Sequence, residues 1–348
     1  MAFMPERKAG TRGSHRWGVL LLAHGAPDRL EDIPEFLLMV RGGRPLPEPA
    51  VAEIAERYRR IGGGSPLLKL TNLQAAALAE RLNRSRAIEE LPPVRVYVGM
   101  RNWKPFIAES MRRLADEGVE QVVAVCLAPQ NSRTSVGLYR ARTFEAVEQF
   151  APGLKVEFVE SWHDNASLIA AFHEKISQAL ESAERVAGVA VPVIFTAHSV
   201  PEKTIADGDP YEAQVRETAA LVAKTLALDR WTVAFQSQGM SSEPWIGPTV
   251  ESKIDELVAQ GYRHVLIAPI GFVSDHVEIL YDIDVVFREH GKARGMTVWR
   301  SESLNDSPLL ITALASIVSS AVRQSEVKVQ ESGARSPESG ARSQRTKD

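Results

Sequence analysis

The chain is predicted to be an α/β protein of two similar Rossmann-like lobes. Each lobe is a parallel sheet flanked by helices, with a cleft between them. Three observations predict this. Short apolar runs, such as residues 191–197 and 265–273, have the length and composition of strands buried on both faces. They alternate with longer stretches of helical period, the pattern of parallel βαβ units. The chain also repeats itself.

The repeat sets the lobes. Ala23-His24-Gly25-Ala26-Pro27 resembles Ala197-His198-Ser199-Val200-Pro201 at an offset of 174 (198 minus 24). Gln74 and Gln214 each open a helical run, Gly99-Met100 matches Gly239-Met240, and Leu127-Ala128-Pro129 matches Ile267-Ala268-Pro269. These three pairs share an offset of 140 (214 minus 74). The first half therefore carries 34 more residues between its histidine motif and its first matched helix (174 minus 140).

Taken in order, residues 1–15 are polar and expected to be disordered. Residues 16–155 form the first lobe, with strands at the apolar run before His24, at 94–99 and before Leu127, and a helix over 104–117. Residues 156–303 form the second lobe, with strands ending at His198, at 232–236 and before Ser274, and a helix over 248–260. Residues 304–323 hold a helix whose Leu309, Ile311, Leu314, Ile317, Val318 and Val322 make one apolar face to pack on the lobes. Residues 324–348 contain Glu-Ser-Gly-Ala-Arg-Ser twice, are short of large apolar side chains, and are expected to be disordered.

Bulk properties exclude several classes. The chain has 348 residues, 44% hydrophobic and 24% charged, and a net charge of -3, so no basic excess points to nucleic acid. Cys126 is the only cysteine, which excludes an intrachain disulfide framework and an iron-sulfur cluster held by four cysteines of this chain. No apolar run reaches the roughly 18 residues of a transmembrane helix. The apolar stretch near the start is too short for a signal peptide and ends in His24-Gly25, so a cytoplasmic location is expected.

Chemistry in open α/β sheets gathers beyond the carboxyl ends of the strands. His198 sits at one such end, either as a hydrogen-bonded turn residue or facing the cleft. Glu278 follows another, and Asp282 lies four residues on, so in a helix the two carboxylates share a face. An acidic helix start favoured by the macrodipole is the plainer explanation. His24 occupies the place of His198 in the first lobe. Imidazole with carboxylate suits a first-row divalent metal, a moved proton, or both. No H-E-x-x-H, G-x-S-x-G, P-loop or G-x-G-x-x-G string occurs.

The inserted residues contain Arg41, Arg44, Arg57, Tyr58, Arg59 and Arg60, which form a solvated face or pair with carboxylates. Gly62-Gly63-Gly64-Ser65 is a loop before a helix, either a plain turn or a cradle for an anion. Trp245 is a loop aromatic, part of a core or a platform for a flat ligand.

The strings AHSVPEK, SQGMSSEPWIGP and GFVSDHVEILYDID, with YRRIGGGSPL upstream, resemble a ferrochelatase from about Trp17 to Val322. The resemblance implies the two-lobed chelatase-like fold and a lyase activity, insertion of ferrous iron into a porphyrin for heme biosynthesis. It implies that His198 is the base for the pyrrole protons, that Glu278 is its partner, and that Asp282 extends an acidic line for metal entry. Arg41, Arg57, Tyr58, Ser65 and Tyr139 match porphyrin-contacting positions, and Trp245 joins them as a platform.

His24 matches the position facing the opposite side of the macrocycle, where several relatives have tyrosine, and the resemblance makes it a candidate axial ligand. Val286 stands where some members carry a carboxylate, which leaves an outer site for a regulatory divalent metal open. Fe2+ enters as substrate, and no iron-sulfur cluster is expected.

The short basic link from residues 36–40 to Arg41-Gly42-Gly43-Arg44 suits the tetracarboxylate coproporphyrin III over protoporphyrin IX, which stays the alternative. A cobalt or sirohydrochlorin chelatase and a non-enzymatic porphyrin- or heme-binding protein are the rival readings. The expected state is a monomer, in transient contact with neighbouring heme-pathway enzymes.

Overall fold

The computed structural model describes residues 16–88, 93–239 and 243–333. The two termini expected to be disordered therefore fall largely outside the described residues, as do Met240, Ser241 and Ser242.

The first lobe runs β1 (Trp17–Ala23), α1 (Ile33–Val40), α2 (Glu48–Arg60), α3 (Leu67–Ile88), β2 (Arg95–Met100), α4 (Ile107–Asp116), β3 (Gln121–Cys126), α5 (Val136–Phe150) and β4 (Lys155–Val159). The second runs α6 (Ala166–Ala187), β5 (Val193–His198), α7 (Glu202–Ala206), α8 (Tyr211–Thr225), β6 (Trp231–Gln236), α9 (Val250–Ala259), β7 (His264–Pro269), α10 (Val277–Leu280), a π-helical turn (Asp282–Phe287), α11 (Arg288–Lys292) and β8 (Thr297–Arg300). The chain then enters α12 (Pro308–Gly333).

The two sheets have the same strand order. In the first it is β2-β1-β3-β4 and in the second β6-β5-β7-β8, and every pairing is parallel. Leu21 stands opposite Val98 on one side and Val125 on the other. Phe195 stands likewise between Val233 and Ala268. The repeat in the sequence is thus a repeat of topology.

Alternation along each strand builds the layers. Val19 and Leu21 of β1 face inward with Phe195 of β5 and Leu266 of β7, and α3, α6, α8 and α12 fill the space between the two sheets as one continuous core. Leu20 and Leu22 face outward onto α4 and α5. Ile194 and Ile267 face outward onto α9 and the π-helical turn. Among the described residues no helix is long and apolar enough to cross a membrane.

Two expected boundaries move. A lobe boundary at 155 would cut β4, whose Val156 and Phe158 pair with Val122 and Ala124 of β3, so the first lobe extends through Val159. The last helix does not stop at 323 but continues to Gly333. Backbone hydrogen bonding carries a helix past the end of its apolar face, which is all that the sequence pattern registers.

The 34 inserted residues are helical over much of their length. Ile33, Phe36 and Leu37 of α1 and Tyr58 of α2 pack on Trp103, with Val277 of the second lobe against them. This cap overhangs the ends of both β1 and α10.

Candidate active site

Three histidines present the same ring nitrogen, all by one device. His24 Nδ1 donates to the Gly25 carbonyl at 2.9 Å, His198 Nδ1 to the Ser199 carbonyl, and His276 Nδ1 to the Ser274 carbonyl at 2.9 Å. A carbonyl only accepts, so Nδ1 carries the hydrogen in each ring and Nε2 keeps its lone pair when the ring is neutral.

Glu278, in the first turn of α10, lies between two of these rings. Its Oε1 is 3.6 Å from His198 Nε2 and its Oε2 is 3.5 Å from His276 Nε2. The Gln236 side chain at the end of β6 donates to the Glu278 carbonyl at 2.7 Å, which pins the helix start to the second sheet. Burial favours the protonated carboxyl, but the two imidazoles outweigh it and hold Glu278 well below the usual carboxylate range. The same contact works in reverse on His276. Burial would lower it, and the hydrogen bond and charge of Glu278 raise it above the ordinary histidine value.

Asp282 opens the π-helical turn, one turn after Glu278. Burial pushes its carboxyl up to about 6, with the Ser237 hydroxyl drawing it down and the Glu278 charge pushing it up. Ser237 donates to Asp282 Oδ2 from a loop position at φ 60, a left-handed conformation that few serines adopt.

His24 comes from the end of β1. Its ring is open to the cleft yet walled by protein. Those walls, with the Arg101 guanidinium, lower it to about 4, so the ring is neutral near neutral pH. Solvent in the cleft tempers that shift without changing its direction. Asn102 Nδ2 donates to His24 Nε2 at 3.0 Å. The His24 ring meets the Phe36 ring edge-on at 6.3 Å, and Phe36 shares the cap cluster with Val277, the neighbour of Glu278, which brings His24 to the end of α10 that faces His198.

The expected porphyrin-contacting residues divide. Tyr58 and Tyr139 are buried, and burial raises both phenols; the charge of Glu278 adds to this at Tyr58, while at Tyr139 the Arg101 guanidinium works against it. Arg57 pairs with Glu53 at 2.7 Å and lies 5.6 Å over the Tyr281 ring, while its Nε is buried with no partner. Arg41 turns back on its own loop and donates to the Arg44 carbonyl at 3.2 Å.

Ser65 spends its polar atoms on structure. Its N–H donates to the Pro27 carbonyl at 2.9 Å, and its hydroxyl accepts from the Leu67 N–H at 3.3 Å. Trp245 lies 6.3 Å from the His198 ring at a tilt of 52°.

The structure adds three residues to the site. His276 was part of the string that carried Glu278, but only packing shows its Nε2 on the carboxylate. Arg101 and Asn102 follow β2, and the strand-end rule that marks His24 marks them equally. Arg101 lies 4.9 Å over the Tyr139 ring, and its Nη1 is buried without a partner.

Two surface hollows lie elsewhere. One of about 430 Å³ is lined by Glu157, Ser161 and Asn165, and one of about 370 Å³ by Asp28, Lys104 and Glu109. Neither is lined by His198 or Glu278, so the donor geometry, not cavity size, locates the site. Among the described residues no group of three or more His, Cys, Asp or Glu side chains is assembled to hold a metal ion.

Comparison with known proteins agrees with this frame. The solved cobalt complex of the sirohydrochlorin chelatase SirB from Bacillus subtilis subspecies spizizenii superimposes with a TM-score of 0.54 at 10% identity, over 89% of this chain and 97% of that one. At that identity the likeness concerns the fold alone. A protein named Ferrochelatase from Acidobacterium capsulatum is 45% identical over 322 residues, 88% of this chain and 95% of that protein. A Coproporphyrin III ferrochelatase from Anoxybacillus flavithermus is 36% identical over 309 residues, 88% of this chain and 96% of that protein. Residues 16–322 match the family described as Ferrochelatase, and the chain therefore belongs to the ferrochelatase family, whose members insert iron into porphyrin in heme biosynthesis.

Proposed function

We propose that this chain inserts Fe2+ into coproporphyrin III to give Fe-coproporphyrin III (coproheme). The observation that carries the mechanism is His198 Nε2 facing Glu278 Oε1 at 3.6 Å. The Nε2 lone pair takes the pyrrole protons in turn, passing each on before the next. The adjacent carboxylate stabilises the imidazolium that forms and meets the incoming cation. Two N–H protons leave as one Fe2+ enters, so charge balances without any change of oxidation state. Asp282, one turn away, supplies a second carboxylate on the metal's approach.

The substrate reading rests on charge. Arg41 and Arg44 follow α1 and Arg57 and Arg60 end α2, so the cap helices carry four cations to which a tetracarboxylate guest offers four anions. The relative from Anoxybacillus flavithermus bears the name of that activity. A specific observation favours protoporphyrin IX as the second reading. Leu38, Met39 and Val40 of α1 expose apolar surface beside the arginines, and this suits a guest with fewer carboxylates. The protein acts as a monomeric lyase in the cytoplasm, with transient contact to neighbouring enzymes of the pathway.

The test is anaerobic metallation followed by absorbance, with ferrous iron and either porphyrin. Faster conversion of coproporphyrin III, abolished by His198→Ala, is the expected result. Faster conversion of protoporphyrin IX would overturn the substrate. Binding of either porphyrin with no metallation would sink the enzymatic reading in favour of a carrier.

A further inference from the structure

Both nitrogens of His24 are already engaged. Nδ1 donates to the Gly25 carbonyl at 2.9 Å, and Nε2 accepts from Asn102 Nδ2 at 3.0 Å. A carbonyl cannot donate, so the first bond fixes the tautomer and directs the lone pair to Nε2. The amide of Asn102 then occupies the atom that an iron centre on this face would need. The backbone holds the two residues together independently of that contact, because the Asn102 N–H donates to the His24 carbonyl at 2.9 Å.

His198 and His276 present the same nitrogen, but to a carboxylate. Asn102 is what makes His24 different: it offers a neutral donor where Glu278 offers an anionic acceptor. A donor stabilises the lone pair without removing it and yields by rotating one side chain.

We propose that Asn102 is a positioning residue that holds the His24 Nε2 lone pair before porphyrin binds and gives it up to the metallated porphyrin. In the exchange the Asn102 N–H···Nε2 hydrogen bond breaks and an Fe–Nε2 bond forms. The proton stays on the amide and no electron is transferred. Ligation is thereby available to iron but opposed, so the product is held and still released. This inference rests on the porphyrin-metallating reading above, with His24 on the far face of the ring.

The probe is ferric coproporphyrin III added to the purified full chain, read by absorbance and resonance Raman for histidine ligation and by stopped flow for release. Asn102→Ala removes the competing donor. Release is expected to slow about three- to tenfold, the worth of one neutral hydrogen bond, with the histidine-ligated spectrum strengthened. Asn102→Asp places only acceptors beside Nε2 and draws a proton onto it. The histidine-ligated spectrum is then expected to fall to that of His24→Ala.

Nitrogen NMR of the porphyrin-free protein reads the tautomer directly, with Nδ1–H alone in the wild type and both nitrogens protonated in Asn102→Asp. Wild-type release and spectrum in both variants would overturn the proposal, as would faster release in Asn102→Ala. A wild-type spectrum identical to that of His24→Ala would overturn it too. Failure to metallate coproporphyrin III would instead strike the substrate reading, since binding of the ferric probe is measured without turnover.

Discussion

Gln74 and Gln214 cross the lobe boundary in opposite directions. Gln74, on α3, donates to the Ser274 hydroxyl of the second lobe at 2.8 Å and to the Asn305 carbonyl, in the link from β8 to α12, at 2.6 Å. Gln214, on α8, accepts from the Asn131 N–H at 2.6 Å in the first. The two are equivalent positions of the repeat. Each fixes the loop that follows the third strand of the other lobe, and one of those loops carries His276.

Gln74→Ala should therefore damage both stability and chemistry. Gln74 is fully buried, and its loss takes from the Ser274 hydroxyl and the Asn305 carbonyl the donor they share. The expected cost is about 1–3 kcal/mol in urea unfolding. Because the loop leads into His276 and Glu278, kcat should fall with KM for porphyrin little changed. An unaltered kcat would mean that the crossing bond is structural alone.

Glu278→Gln keeps the shape and removes the charge. Metallation should drop about 10²- to 10⁴-fold, the range for loss of a positioned acid-base partner, while porphyrin binding by fluorescence quenching holds within a few-fold. His276, raised in the wild type by this carboxylate, should titrate lower in the variant by proton NMR. An unmoved His276 would disconnect the two residues.

Asp282 predicts the acid limb of the pH profile. Its carboxyl is raised to about 6, chiefly by burial, so it is ionised above that pH and neutral below it. Metal uptake should decline as pH falls through about 6, and Asp282→Asn should lack that limb. The sign for folding is the reverse. The folded state keeps this proton over a range where the unfolded chain has lost it, so this group's contribution makes stability fall as pH rises from about 4 to about 6. Equal pH profiles in both proteins would clear Asp282 of the role.

Arg57→Ala should raise KM for coproporphyrin III about tenfold at unchanged kcat, as expected for one charge-assisted hydrogen bond in a partly wet site. Its buried Nε without a partner is the group that a guest carboxylate would satisfy. Protoporphyrin IX, with two carboxylates fewer, should be affected less. A matched change for both would mean that Arg57 contacts no distinguishing carboxylate.

Gly64→Ala should disturb the loop before α3. A Cβ there would collide with the Asp28 carbonyl oxygen, which is backbone and cannot step aside. The Ser65 N–H to Pro27 bond depends on that approach. A lower melting temperature is expected, together with weaker porphyrin binding, and a wild-type melting curve would refute the close approach.

Much of this architecture was legible because period and repeat are local signals. The strand ends at Ala23 and His198, and the spacing of Glu278 and Asp282, followed from them, whereas the run expected to reach Ser274 ends as a strand at Pro269. His276 and Asn102 were not legible as site members, since nothing along the chain says which neighbour an imidazole will meet. The cap was hidden for another reason. The apolar contacts of Phe36 and Tyr58 are with Trp103, far along the chain, so the inserted segment read as a run of charge. The π-helical turn left no trace either, because Asp282 through Phe287 keeps a pattern that an ordinary helix would also satisfy.

The matching strand orders of the two sheets bear on direction. A flat guest held between near-copies of one fold would meet equivalent walls and have no reason to be treated differently above and below. Here the copies differ in what stands beside the strand-end imidazole, an amide beside His24 and a carboxylate beside His198. One wall can accept a proton and keep the resulting charge. The other can only lend a lone pair. With His198 and His24 in the roles proposed above, an internal duplication would become a vectorial device, in which protons leave by one face and the finished centre is retained on the other.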